Sequence, residues 1–118
     1  MAYTLLTPVT VDLNGDIDPT RAAATLSDGD QFKNTGREVI NIVNGGGSTC
    51  NLTIPTPTTA AGGLLIEDKT YAILAGEEIF IAQLDPALFN QPPSSSDAGN
   101  VYLEYDFVTS VTVLILRN

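Results

Sequence analysis

The stretch from Asn100 to Asn118, Asn-Val-Tyr-Leu-Glu-Tyr-Asp-Phe-Val-Thr-Ser-Val-Thr-Val-Leu-Ile-Leu-Arg-Asn, consists of strand-forming residues with almost no helix formers. It commits the chain to a β fold. Val101, Leu103 and Tyr105 share one phase of a two-residue period, and Val111 and Val113 alternate with Ser110 and Thr112. Such strands have one dry face and one wet face. At Leu114-Ile115-Leu116 the alternation stops and both faces become apolar. That segment requires cover on both sides, from a sheet partner, the N-terminal segment or another chain.

Elsewhere the chain alternates between short strand patterns and turn chemistry. Leu5 to Leu13 is strand-like but contains Pro8, which reduces it to an edge strand or an arm lying over the sheet. Thr20 to Ala24 reads as irregular. Asp28-Gly29-Asp30 leads to a turn at Asn34-Thr35-Gly36. Strands are predicted over Glu38 to Val43, Thr49 to Ile54, Leu64 to Glu67, Lys69 to Leu74 and Glu78 to Ala82, the last two joined by Ala75-Gly76-Glu77. Asn44 to Ser48, with its glycines, is predicted to be a mobile connection, and Gln91 to Gly99 a loop that need not pack. Between strands, Asp85-Pro86 carries helix-start chemistry, with Leu88 and Phe89 plugging the end of the fold. The pattern predicts an all-β chain: an immunoglobulin-like or jelly-roll-like β-sandwich of about seven short strands, the immunoglobulin-like version preferred. A single domain spans 1–118, and residues 1–13 form its N-terminal arm or edge strand.

Composition limits the partners. Five basic residues against fourteen acidic give a formal charge of −9, a sign that repels phosphate backbones and anionic lipid. Nucleic acid and membrane surfaces are therefore not expected partners. The lone Cys50 cannot form an internal disulfide, and no secretory leader pattern opens the sequence, so folding in a reducing cytoplasm is expected.

Chemistry-bearing motifs are scarce. With no histidine, the usual base near neutral pH is missing, and Cys50 sits in an apolar strand as a small hydrophobe. The alternating oxygens of Asp12, Asn14, Asp16 and Asp18 fail as a calcium loop, because Ile17 and Ala23 stand where glycine and glutamate are required. Adjacent acids at Glu67-Asp68 and Glu77-Glu78 point to opposite faces of a strand and do not make a glycosidase pair. No catalytic residue, metal site or cofactor is expected.

The order Gly29-Asp30-Gln31-Phe32-Lys33-Asn34-Thr35-Gly36-Arg37, a strand ending in Asn44-Gly45, Ala75-Gly76-Glu77, Asp85 to Asn90, Gly99-Asn100-Val101 and Val108 to Val113 resembles small virion proteins of tailed bacteriophages, in particular head decoration or cement proteins. The resemblance spans residues 28 to 116 and rests on turns and strand ends. It implies an immunoglobulin-like sandwich without enzymatic activity or cofactor, on the exterior of a capsid, made in the host cytoplasm. The partner it implies is the major capsid protein, whose neighbouring subunits such copies clamp. A tail or connector component is the nearest alternative; an immunoglobulin-like module binding carbohydrate or a cell-surface protein is another, weakened by the absence of tryptophan. Unpaired edges favour closure into a homo-oligomeric ring such as a trimer. The residues expected at that protein interface are Tyr3, Leu5, Leu6, Val9 and Val11 of the arm with Leu114 and Leu116 of the terminal strand, whereas the loop around Pro92 to Asp97 is expected to be dispensable.

Overall fold

A computed structural model describes residues 3–10, 21–26, 28–57, 61–64, 66–82 and 84–117. Val11 and the acidic segment Asp12 to Asp18 lie outside the described residues. The strands are β1 (Thr4–Leu6), β2 (Val9–Thr10), β3 (Ala22–Ala23), β4 (Asp30–Lys33), β5 (Glu38–Asn44), β6 (Cys50–Ile54), β7 (Lys69–Ile73), β8 (Glu78–Ala82), β9 (Asn100–Tyr105) and β10 (Val111–Arg117), with a single helical turn, α1 (Pro86–Phe89), between β8 and β9. Asp85 caps α1 by accepting from the Ala87 N–H, and Pro86 occupies the first helical position, where its missing N–H costs nothing.

Two sheets face each other. One has the order β1-β4-β9-β6-β7 and the other β2-β10-β5-β8, with β3 also on β10. Setting the arm strands β1 and β2 aside leaves β3-β10-β5-β8 over β4-β9-β6-β7, every neighbouring pair antiparallel. Apart from the step from β6 to β7, each connection carries the chain to the opposite sheet. That is jelly-roll connectivity, so of the two sandwich versions anticipated from sequence the strand order selects the jelly roll rather than the preferred immunoglobulin-like one. The arm adds a parallel strand to each sheet: β1 beside β4, then, after Thr7-Pro8, β2 beside the end of β10.

Alternation along the strands builds the core between the sheets. Cys50, Leu52 and Ile54 of β6, Val101 and Leu103 of β9, Ile40 and Ile42 of β5, and Val111, Val113 and Ile115 of β10 are all buried there. Each large aliphatic side chain contributes on the order of 1.5–3 kcal/mol of burial. Burial also pushes the Cys50 thiol upward, keeping it protonated and inert.

Three local predictions are corrected, the first being the irregular reading of Thr20 to Ala24, within which Ala22–Ala23 forms β3, and β4 is a strand the sequence pattern did not show. Asp30 to Lys33 forms β4 although only Phe32 in it is apolar: Asp30 accepts from the Tyr105 hydroxyl at 2.8 Å and the Thr25 N–H at 3.3 Å, while Gln31 donates to the Tyr3 carbonyl and accepts from Asn100. The glycine-rich Asn44 to Ser48 connection is anchored at Asn44 and Gly46, while Gly47 stays open. Fully buried Asn44 donates to the carbonyls of Ser48 and Ile73 and accepts from the Gly46 N–H, and a methyl group at Gly46 would stand 2.4 Å from the Thr109 carbonyl oxygen. The segment from Gln91 to Gly99 is a series of hydrogen-bonded turns, closed by Gln91 N–H to the Asn100 carbonyl and Gly99 N–H to the Gln91 carbonyl, with the Tyr102 hydroxyl donating to Asp97. A fourth prediction, a strand over Leu64 to Glu67, has no counterpart among the described residues there.

One ion pair fastens the end of the chain. Arg117 Nε meets the buried Glu38 carboxylate, which also accepts from the Thr35 N–H and hydroxyl. Burial pushes the Glu38 carboxyl up, but the Thr35 and Arg117 contacts outweigh it, and its pKa lies below the ordinary carboxylate value. Because the folded pKa is the lower one, the stabilisation is complete above the unfolded pKa of about 4.3 and disappears as pH falls through the folded value. Urea midpoints measured from neutral pH down to pH 3 are expected to fall across that window, and Glu38→Gln to flatten the decline. An unchanged slope in the variant would remove Glu38 from the account of acid sensitivity.

Candidate interface

The anticipated interface residues fall on two different sheets. Tyr3, Leu5 and Leu6 accompany β1 in one; Val9, Leu114 and Leu116 belong to β2 and β10 in the other. Tyr3 is held against the body of the protein: its ring stacks on Tyr102 with centroids 3.7 Å apart, and its hydroxyl donates to Glu104 at 2.5 Å. Burial first, and then the Glu104 carboxylate, raise the Tyr3 pKa, so the hydroxyl stays a donor. Leu6 lies in the core and Leu114 is 8% exposed, whereas Val9 and Leu116 sit side by side, half-buried. Of the described members of that set, Leu5 alone is a large apolar side chain open to solvent, at 63%.

Strand β10 is not an open edge. Its whole length pairs with β5, and its other side pairs with β3 at Thr112 and Val113 and with β2 at Leu116 and Arg117. Of the double-sided apolar run, Leu114 and Ile115 are buried within the chain and Leu116 is half-buried. Strand addition at β10 would first have to displace the arm.

Open edges do exist elsewhere. Among the described residues sheet one ends at β7 and sheet two at β8, and the turn Leu74 to Glu77 joins these two strands, so both edges lie on one flank. An unpaired edge presents a row of backbone donors and acceptors that favours pairing with another chain unless it is blunted by charge, proline or a bulge. On this flank the outward Phe80 is 63% exposed and Leu74 51%. Phe80 stands opposite Asn41, which stands opposite Leu114, forming a row across the outer face of sheet two. Arg21 straps that face by donating to Asn41 Oδ1 and Thr112 Oγ1, and Asn41 passes the connection on to Glu78.

Phe80 and Leu74 were not singled out by the sequence argument, although a signal for Phe80 was present. In Glu78-Ile79-Phe80-Ile81-Ala82 the isoleucines take the inward phase, so the phenylalanine between them must point outward.

Among the described residues no group of three or more His, Cys, Asp or Glu side chains is placed to hold a metal ion, and no helix is long and apolar enough to cross a membrane. No family model, curated protein or solved structure matches the chain.

Proposed function

We propose that this chain is a structural component of a tailed-bacteriophage virion, a head decoration protein that binds the outside of the assembled shell and stabilises it. The observation that carries the reading is the flank of two sheet edges, β7 and β8, unpaired among the described residues and bearing exposed Leu74 and Phe80. Such a flank gives affinity through backbone pairing and register through the two apolar anchors. A subunit that binds only the assembled lattice stabilises it by mass action, repeated over many equivalent sites. The jelly roll is itself an architecture used in viral shells as well as in lectins, and the resemblance in turns and strand ends favours the former use. A charge of −9 keeps many copies on one particle soluble. In this reading the opposite edge, β1 with exposed Leu5, joins copies to each other in a ring such as a trimer.

The test uses empty shells of the particle concerned. Wild-type protein should sediment with them and raise their disassembly temperature. Phe80→Asp, an exposed substitution expected to change folding stability by less than about 0.5 kcal/mol, should weaken binding roughly tenfold or more. Equal binding by a folded Phe80→Asp protein would move the contact off this flank, and binding to tails in place of shells would favour the connector or tail position.

A further inference from the structure

A cleft of about 510 Å³ opens between α1 and the turns that follow it, walled by Pro86, Pro92 and Pro93, with Lys33, Gln91 and Gly99 among its lining. We infer that this cleft docks an extended, acidic segment of a partner protein, with an aspartate or glutamate on Lys33 and a neighbouring apolar side chain between the prolines. The inference goes beyond the virion reading, since it depends only on the chemistry of the cleft.

Its walls are held rigidly. Asn34 and Asn90 exchange hydrogen bonds, Asn34 Nδ2 to Asn90 Oδ1 at 2.7 Å and Asn90 Nδ2 to the Asn34 carbonyl at 2.9 Å, while Asn34 also donates to the Leu84 carbonyl. This ties the segment carrying α1 to the turn after β4. On the far side, the Ser95 N–H bonds to the Pro92 carbonyl and the Gly99 N–H to the Gln91 carbonyl, fixing both proline walls relative to β9. A pre-formed cleft loses little conformational entropy on binding.

The polar groups specify the occupant. Lys33 extends from β4 into the cleft so close to Gly99 that a methyl group there would lie 2.7 Å from Nζ. The Lys33 ammonium and the Gln91 side-chain amide have no hydrogen-bond or ion-pair partner among the described residues. Both can donate, which calls for an acceptor, and the ammonium favours a charged one. Arg37 is exposed on the turn that packs Gly36 against Pro86, and Arg117 reaches the Lys33 carbonyl. Three of the five cations thus gather at this end, facing Glu38, Asp85 and Asp97, each of which already accepts a hydrogen bond from the chain. In a chain of charge −9 this end is locally balanced, and it is where an acidic partner meets least repulsion. The rings of Pro86, Pro92 and Pro93 supply flat, rigid apolar surfaces of the kind that receive a single side chain from an extended peptide.

The experiment titrates isotope-labelled full-length protein with terminally capped pentapeptides carrying one aspartate beside leucine, valine, phenylalanine or tyrosine, and with their asparagine counterparts. Amide shifts are expected at Lys33, Ala87, Gln91 and Gly99, with the asparagine peptides at least fivefold weaker and the affinity falling as salt is raised. Lys33→Glu should keep its melting temperature, lose the aspartate peptides and gain binding of the corresponding lysine peptides. Absence of shifts at millimolar peptide, equal binding of aspartate and asparagine forms, shifts confined to other surfaces, or binding only of uncapped peptides through their terminal carboxylate would each overturn the assignment.

Discussion

Asn44→Ala is expected to lower unfolding free energy by about 3 kcal/mol, equivalent to a melting temperature about 12 °C lower for a domain of this size. The side chain is fully buried and makes three bonds that hold the Gly45 to Gly47 turn onto the sandwich. Alanine would leave the Ile73 carbonyl and the Gly46 N–H without their side-chain partners, and a buried group left without a partner costs about 1–3 kcal/mol. The turn also carries backbone contacts: the Gly45 N–H donates to Ser110, and the Gly76 N–H donates to the Asn44 carbonyl. Its loss therefore reaches β7, β8 and β10 together. Asn51→Ala provides the comparison. Its amide bonds Asp106 at an exposed site, where water replaces the partner, so a change below about 1 kcal/mol is expected. Equal effects of the two substitutions in chemical denaturation would contradict the role given to Asn44.

Gly29→Ala is the second large effect, again about 3 kcal/mol, combining a left-handed backbone penalty with overpacking. Gly29 has φ +71°, and an added methyl group would lie 2.6 Å from the Leu103 carbonyl oxygen and 2.9 Å from the Tyr3 ring. Backbone cannot yield there as a flexible side chain could. Moving Tyr3 would relieve only the ring contact, at the cost of its stack on Tyr102 and of the Thr4 N–H bond to the Gly29 carbonyl, and would leave the Leu103 clash in place. Loss of near-ultraviolet tyrosine ellipticity should accompany the lower stability. At Gly47, where nothing stands within 4 Å, the same substitution should change stability by less than about 0.5 kcal/mol. An arm that stays stacked and a stability unchanged in Gly29→Ala would show that β1 is not fixed in the way described.

These two residues also mark what could and could not be read from the sequence. Strands β5, β6, β8, β9 and β10 were legible because each carries its own apolar phase, and α1 because Asp85 and Pro86 are adjacent. Strands β3 and β4 were not. Two alanines give no phase, and Asp30-Gln31-Phe32-Lys33 is polar by composition; the partners that allow its burial, Tyr105, Asn100 and the Tyr3 carbonyl, lie far away in the chain. Without those two strands the count resembled an immunoglobulin-like sandwich, and with them the chain is a jelly roll. Turn composition misled for a similar reason. Three glycines at Gly45 to Gly47 signal freedom, but the buried Asn44 amide holds the turn at Ser48 and Gly46, and the Thr109 carbonyl crowds Gly46. The broken alternation at Leu114 to Leu116 demanded cover, and within the chain Leu114 and Ile115 are buried while Leu116 is half-buried beside Val9.

The proposed clamping of a phage head through the β7–β8 flank is open to a direct check, a cryo-EM map of tailed-phage particles assembled in the presence of this protein. The account predicts many copies of a two-sheet sandwich on the outer surface of the head, with Leu74 and Phe80 against capsid subunits. A head without such density, or the sandwich placed in the tail or with the β7–β8 flank facing solvent, would contradict it.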